Sequence, residues 1–280
     1  QIPLTLINAR MSPRTMKRWR KYARLGRPLF SRFALILAQN ERVARVLRFL
    51  GAPRVETTGN LKIDAPAPPV DAAQLAALKE AIGTRHVWLA ASTHAGEEQQ
   101  VAAAHTLLRD KLPDVLTIIV PRHPDRAEAI AAEIAALGIK VERRSQTQSP
   151  SRDCQIFLAD TIGELGTFYA LCPIAFIGGS LVPRGGQNPI EAIKHGAVVL
   201  SGPHTHNFHD AYAALAEANG VITVTSSGTL AEAVARMHAN APDMAAARSG
   251  AEEALCNLSG AMQKTLDALA PYLDPARTPA

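Results

Sequence analysis

From about residue 86 onward, short apolar runs alternate with helical stretches or polar loops at a nearly constant spacing: 86–91, 115–120, 139–143, 154–159, 174–178, 197–201 and 221–225. Alternation at this spacing predicts parallel strands with crossover helices on both faces. Runs such as Val115-Leu116-Thr117-Ile118-Ile119-Val120 and Ile174-Ala175-Phe176-Ile177 are almost continuously apolar, as suits strands covered on both sides. A doubly wound α/β domain is the expected result, followed by a final helical segment from about 243 to 272.

Upstream the pattern is shorter. Residues 2–7, 33–39 and 55–59 read as strands and 41–50 as a helix closed by Gly51, which together look like the closing units of another α/β domain. Between the two regions, Asp64-Ala65-Pro66-Ala67-Pro68-Pro69-Val70-Asp71 brings three prolines into eight residues, favouring an extended, semi-rigid connector. The expected organisation is 1–64 as the C-terminal part of a first Rossmann-like domain, 65–73 as linker, 74–272 as a complete second domain with its terminal helix, and 273–280 as a tail. Because Gln1 leads directly into a strand, the chain reads as the rear part of a longer protein whose first domain is largely missing.

At 280 residues and 47% hydrophobic composition the chain can build two cores, which excludes disorder and small disulfide scaffolds. No apolar run approaches the roughly 18 residues a membrane-spanning helix needs. Cys154, Cys172 and Cys256 are too few and too scattered for a disulfide framework or a zinc knuckle, so reduced thiols are expected. The net charge of +5 is unevenly placed: the first forty residues contain no acid and hold Arg10, Arg14, Lys17, Arg18, Arg20, Lys21, Arg24, Arg27 and Arg32. Such a block suits an anionic membrane surface, nucleic acid or a phosphorylated substrate, and the interleaved Trp19, Tyr22, Phe30 and Phe33 favour the membrane interface.

Polar residues of the second domain gather just after its strands, in 92–97, 121–126, 160–164, 178–188 and 201–207. In an open parallel sheet that is the edge where ligands bind. In the loop from Gly178 to Glu191, two glycine pairs bring bare backbone close to a ligand, Asn188 can cap a helix, Pro189 suits its first position, and Glu191 can accept from a ribose diol. Pro121-Arg122-His123-Pro124 presents Arg122 to an anion between two rigid prolines. Asp160 or Thr161 reads as a helix cap, with Gly163 leaving room for a ligand and Glu164 suiting the helix dipole. His204, His206 and His209 lack the helical spacing and carboxylate of a hydrolytic zinc site, so no metal and no cofactor are expected.

Taken together, Asn8-Ala9-Arg10, Gly59-Asn60-Leu61-Lys62-Ile63-Asp64, Ser92-Thr93-His94 with Gly96-Glu97-Glu98, Pro121-Arg122-His123-Pro124 with Arg126, Asp160-Thr161 with Gly163-Glu164-Leu165, Gly178-Gly179-Ser180-Leu181-Val182, Gly185-Gly186-Gln187-Asn188-Pro189 and Gly202-Pro203-His204-Thr205 with Asn207-Phe208 closely resemble the bacterial Kdo (3-deoxy-D-manno-octulosonic acid) transferases. The resemblance implies a GT-B glycosyltransferase fold, with two Rossmann-like domains facing each other across a cleft. It implies CMP-Kdo as donor and a lipid A precursor as acceptor, in lipopolysaccharide synthesis at the cytoplasmic face of the bacterial inner membrane. By the same resemblance Pro121, Arg122, Ile162, Gly163, Glu164, Asn188, Pro189, Ile190 and Glu191 fall on CMP-binding motifs, and Lys62 on a lysine that stabilises the transition state. The implied enzyme is inverting and metal-independent, and its general base belongs to the part of the first domain not found in this sequence, so the chain alone is expected to bind donor without transferring it. Alternatives are a noncatalytic nucleotide-sugar-binding module and a sugar-nucleotide epimerase on the same fold.

Overall fold

The computed structural model describes residues 2–273, which fall into two units, one comprising residues 2–66 and 257–273 and the other residues 67–256.

The first unit holds a parallel sheet of β1 (Thr5–Ala9), β2 (Leu35–Ala38) and β3 (Val55–Thr57), in that order. Every residue of β2 is buried, because the sheet is covered on both faces. One face packs on the helix Glu41–Phe49, capped by Asn40 accepting from the Val43 amide at 3.0 Å, and on Met16 and Phe30 of the two basic helices Pro13–Lys21 and Ala23–Phe30. Leu35 and Leu37, on the other face, pack on Ala268, Leu269 and Tyr272 of the last helix, Ala261–Leu273. This corrects the expected division: the terminal helix belongs to the first unit, and the segment expected to be one helix from 243 to 272 breaks into Ala241–Leu258 and Ala261–Leu273. Asp64 makes the attachment, accepting from the amides of Gly260 at 3.0 Å and Met262 at 2.6 Å. The tail expected from 273 lies, but for Leu273, outside the described residues.

A second correction concerns the aromatic residues of the basic segment. Trp19, Phe30 and Phe33 turn into the core of the first unit, with Trp19 and Phe30 edge to face at 5.3 Å and Phe30 stacked on Phe33 at 6.3 Å. Only Tyr22 is exposed among the four, joined by Leu25 and Leu29.

The second unit is a seven-stranded, wholly parallel sheet. Its strands are β4 (Val87–Thr93), β5 (Leu116–Pro121), β6 (Val141–Arg143), β7 (Ile156–Leu158), β8 (Ile174–Ile177), β9 (Val198–Ser201) and β10 (Val221–Thr223), ordered β10-β9-β8-β4-β5-β7-β6. The chain winds outward from β4 through β5 to the β7–β6 edge, then returns beside β4 to lay down β8, β9 and β10. The reversal between β4 and β8 opens the sheet at their carboxyl ends, the place where such folds bind ligands. The proline connector is pinned to this unit. His195 Nε2 lies 3.0 Å from the Pro68 carbonyl, the Asp71 amide donates to Thr167 Oγ1 at 3.1 Å, and Asp71 caps the helix Ala72–Ile82.

Candidate functional site: the carboxyl edge of the second sheet

All five polar loops predicted from the sequence leave the carboxyl ends of parallel strands, after β4, β5, β7, β8 and β9, and therefore share one edge. Glu97 organises its centre. Its carboxylate is fully buried and accepts from the amides of Gly179, Ser180 and Leu181 at 2.6, 3.0 and 2.9 Å, and from that of His94 at 2.9 Å. Burial pushes this carboxyl up from its ordinary pKa, and the four amides oppose the shift. One side chain thus folds the start of the β8 loop onto the end of β4.

The neighbouring Glu98 makes a second clamp. It accepts from both terminal nitrogens of Arg126 at 2.9 and 3.2 Å, and from Thr93 Oγ1 at 3.0 Å, tying the β5 loop to the helix after β4. A two-point contact fixes the guanidinium plane as well as its position. The Arg122 amide adds a bond to the Thr93 carbonyl at 2.9 Å.

The glycines of the β8 loop serve packing between loops. A Cβ at Gly178 would lie 2.5 Å from the Ser92 carbonyl oxygen, and one at Gly185, whose φ is +94°, would lie 2.6 Å from Asn207 Nδ2 and His206 Nε2. Neither site admits a larger residue. The paired glycines, read from sequence as bare backbone for a ligand, are thus required by the neighbouring β4 and β9 loops. Asn207 completes the bracing, donating from Nδ2 to the Arg184 carbonyl at 2.8 Å.

The sequence-predicted residues divide into two walls. On one, Pro121 is buried at the end of β5 while Arg122 is exposed and, among the described residues, forms no ion pair. Beside the β8 loop, Asn188 accepts from the Ile190 amide at 3.1 Å, at the start of the short helix Ile190–Lys194, and donates to Glu191 at 3.0 Å, so it orients the Glu191 carboxylate. Pro189 and Ile190 are buried. On the other wall, Ile162 is 88% exposed, a rare state for so apolar a side chain. Gly163 has open space around it, and the Glu164 carboxylate is engaged by Thr161, Gln74 and, at 2.8 Å, Arg144.

Asp160 does not cap the following helix, as its position had suggested. It turns back to accept from the Ser145 amide and hydroxyl at 2.8 and 2.7 Å and from Arg143 Nε at 2.9 Å, and despite burial its pKa lies below the ordinary value because those donors hold the charge. Gln74, Arg143 and Arg144 were not predicted, since their partners lie 17 to 90 residues away in sequence.

Two cavities accompany the second sheet. One of about 330 Å³ lies between Ser201, Gly202, Thr205, His209 and Tyr212 at the same carboxyl edge. The larger, about 560 Å³, opens at the opposite edge, where Arg85 is spent on the carbonyls of Asp114 at 3.0 Å and Cys154 at 2.5 Å and Lys140 is paired with Asp153. The smaller cavity adjoins the loops described above, and location outweighs volume here. Among the described residues no group of three or more His, Cys, Asp and Glu is placed to hold a metal ion.

In the first unit, Lys62 stands apart from its neighbours in the motif 59–64. Asn60 accepts from the Lys62 amide at 3.1 Å and from Gln39 Nε2 at 3.4 Å, Asn8 bridges Gln39 and the Leu61 amide at 2.9 and 3.3 Å, Ile63 is buried, and Asp64 holds the last helix. The Lys62 side chain is exposed. The motif is a frame of structural residues around one outward-facing cation.

A sequence model of the family described as 3-deoxy-D-manno-octulosonic-acid transferase (kdotransferase) matches residues 1–65. The 3-deoxy-D-manno-octulosonic acid transferase of Haemophilus influenzae is 34% identical over 277 residues, 98% of this chain and 65% of that protein, so the chain spans less than two thirds of its relative. A solved structure, the C-terminal CMP-Kdo binding domain of WaaA from Acinetobacter baumannii, is 31% identical with a TM-score of 0.63, covering 65% of this chain and 96% of the domain. The chain belongs to the Kdo transferase family. Anabaena HepE in complex with UDP-glucose, at 15% identity and a TM-score of 0.57 over 95% of this chain and 72% of that one, shares the fold with this Kdo transferase family member. The architecture is the GT-B class implied by the motifs.

Proposed function

We propose that this chain carries the donor-binding part of a glycosyltransferase that moves Kdo from CMP-Kdo to a lipid A precursor in lipopolysaccharide synthesis. The observation that carries the reading is the likeness, at 31% identity over 96% of its length, to a solved domain described as binding CMP-Kdo. In this reading Arg122, rigidly placed after Pro121, takes the phosphate; Glu191, oriented by Asn188, takes the ribose; and Ile162 with Gly163 offers an apolar surface to the base. Glu164 acts through the backbone and through the network it holds with Gln74, Arg144 and Thr161. Pro189 and Ile190 shape the same wall.

The reaction joins an acceptor hydroxyl oxygen to the anomeric carbon of Kdo as the bond to the CMP phosphate breaks. CMP leaves with the bonding pair, and a carboxylate takes the hydroxyl proton, with inversion at the reacting carbon. Lys62, by its place in the family motif, is assigned to stabilising the charge that grows on the leaving group, without a metal ion or other cofactor. Each carboxylate among the described residues of the first unit already has a partner. Among its described residues, Glu41 is paired with Arg48 and bonded to Thr57, Glu56 is paired with Arg54, Asp64 holds the last helix, and Asp267 accepts from Gln263. The 280-residue chain by itself is therefore assigned donor binding without transfer.

We place the enzyme at the cytoplasmic face of the bacterial inner membrane, with the basic helices 13–30 against anionic lipid and with no role for nucleic acid. No helix among the described residues is long and apolar enough to cross a membrane. Calorimetry with CMP and CMP-Kdo, run beside a transfer assay on a lipid A precursor, tests the assignment. Binding without product is expected; failure to bind CMP overturns the donor site, and turnover overturns the statement that the base is missing.

A further inference from the structure

Two guanidiniums at the ligand edge of the second unit have no carboxylate to neutralise them. Arg122, after β5, and Arg184, in the loop after β8, are both exposed, and among the described residues neither forms an ion pair or a side-chain hydrogen bond. Both sit near His94. Burial, and then the positive surroundings of His123, Arg184 and Arg122, hold the His94 imidazole below its ordinary pKa. Backbone geometry gives the same neighbourhood, since a Cβ on Gly179 would lie 3.1 Å from His94 Cδ2 and 3.5 Å from Arg184 Cβ. The His123 ring stands edge to face with His94 at 5.9 Å.

The two acids that open the helix after β4 are already spent. Glu97 gives its carboxylate to four backbone amides, and Glu98 gives both oxygens to Arg126. Arg184 also leaves a braced backbone, because its carbonyl accepts from Asn207 Nδ2 at 2.8 Å and the Asn207 amide bonds the next carbonyl, that of Gly185, at 2.8 Å. Like charges gathered on rigid loops without a counter-charge repel one another, and an anion filling the space between them relieves that repulsion. A phosphodiester carries a single negative charge, so two guanidiniums brought from loops of different strands leave one able to meet a second anionic group on the same ligand.

We propose that Arg184 binds the carboxylate of a sugar acid joined to the nucleotide while Arg122 takes the phosphate, so that the site selects nucleotide-linked sugar acids over nucleotide-linked neutral sugars. A planar carboxylate suits a guanidinium because two parallel N–H bonds can form. The proposal rests on the nucleotide-sugar reading above and adds to it the residue that recognises the acid.

The test is titration calorimetry of the 280-residue chain and its Arg184→Ala, Arg184→Lys and Arg122→Ala variants with CMP, freshly prepared CMP-Kdo and the CMP-Kdo analogue whose carboxylate is a carboxamide. The parent is expected to prefer the carboxylate over the carboxamide by about tenfold or more. Arg184→Ala removes the preference, Arg184→Lys restores part of it, and Arg122→Ala weakens all three ligands while keeping the preference. A preference that survives in Arg184→Ala, or an equal loss of CMP and CMP-Kdo in that variant, overturns the assignment. If the parent fails to bind CMP at all, the nucleotide site falls, and the carboxylate assignment falls with it.

Discussion

Arg122 and Glu191 are positioned by different means, and the difference sets what their removal costs. Arg122 is exposed between prolines, so truncating it leaves the loop's backbone bond to Thr93 intact. Glu191 is half-buried and bonded to Asn188, so its loss also unpairs a neighbour. Each variant, Arg122→Ala and Glu191→Ala, is expected to weaken CMP binding by roughly 1.5–3 kcal/mol, the cost of losing a hydrogen bond to a charged group. Calorimetry beside a thermal melt checks this: folded variants that bind CMP like the parent would place the nucleotide elsewhere. At this scale the sequence exposed residues that act through local geometry, such as Pro121 and Asn188. It displayed Glu97 in a motif but concealed its contacts, and it concealed Arg144 altogether; these act across 82 to 84 and 20 residues respectively, and spacing carries no trace of a contact made only by the fold.

Among the elements, every strand expected in the second unit exists, with ends shifted by one to a few residues, since unbroken apolar runs between polar loops have few other ways to bury themselves. The last helix is the instructive exception. A final helical segment was expected there, but the choice of partner depends on Asp64 and on the Leu35 and Leu37 face, which local pattern does not encode. Asp64→Ala removes two acceptors from the start of that helix, and by analogy with lost helix caps it is expected to destabilise the first unit by about 0.5–2 kcal/mol. Urea unfolding followed by tryptophan fluorescence reads this through Trp19, in the first unit's core, and Trp88, in the second's. A loss confined to the Trp88 transition would contradict the placement of the helix.

For the molecule as a whole, the decisive asymmetry is electrostatic. None of Arg14, Lys17, Arg18, Arg20, Lys21, Arg24, Arg27 and Arg32 is ion-paired among the described residues, and Leu25 and Leu29 are exposed among them at 74% and 49%. Each cation near an anionic bilayer contributes on the order of 1 kcal/mol. Co-sedimentation is expected to show binding to anionic vesicles and not to neutral ones, declining as salt brings the Debye length below about 10 Å. A variant with Arg14, Lys17, Arg18 and Lys21 changed to Gln should lose most of that binding. Equal, salt-insensitive binding by both proteins would remove the membrane assignment, and preference for duplex DNA would replace it.

The path of the chain also sets a timetable for its synthesis. Leu37 and Ala268 meet in one core although about 230 residues separate them, so at about 5–20 residues per second the ribosome needs roughly 10–50 s to supply the second after the first. Throughout that interval one face of the first sheet stays uncovered while the whole of the second unit emerges and folds. A chain truncated after residue 256 and released from the ribosome should therefore present a finished second unit beside a first one still open to chaperones and proteases.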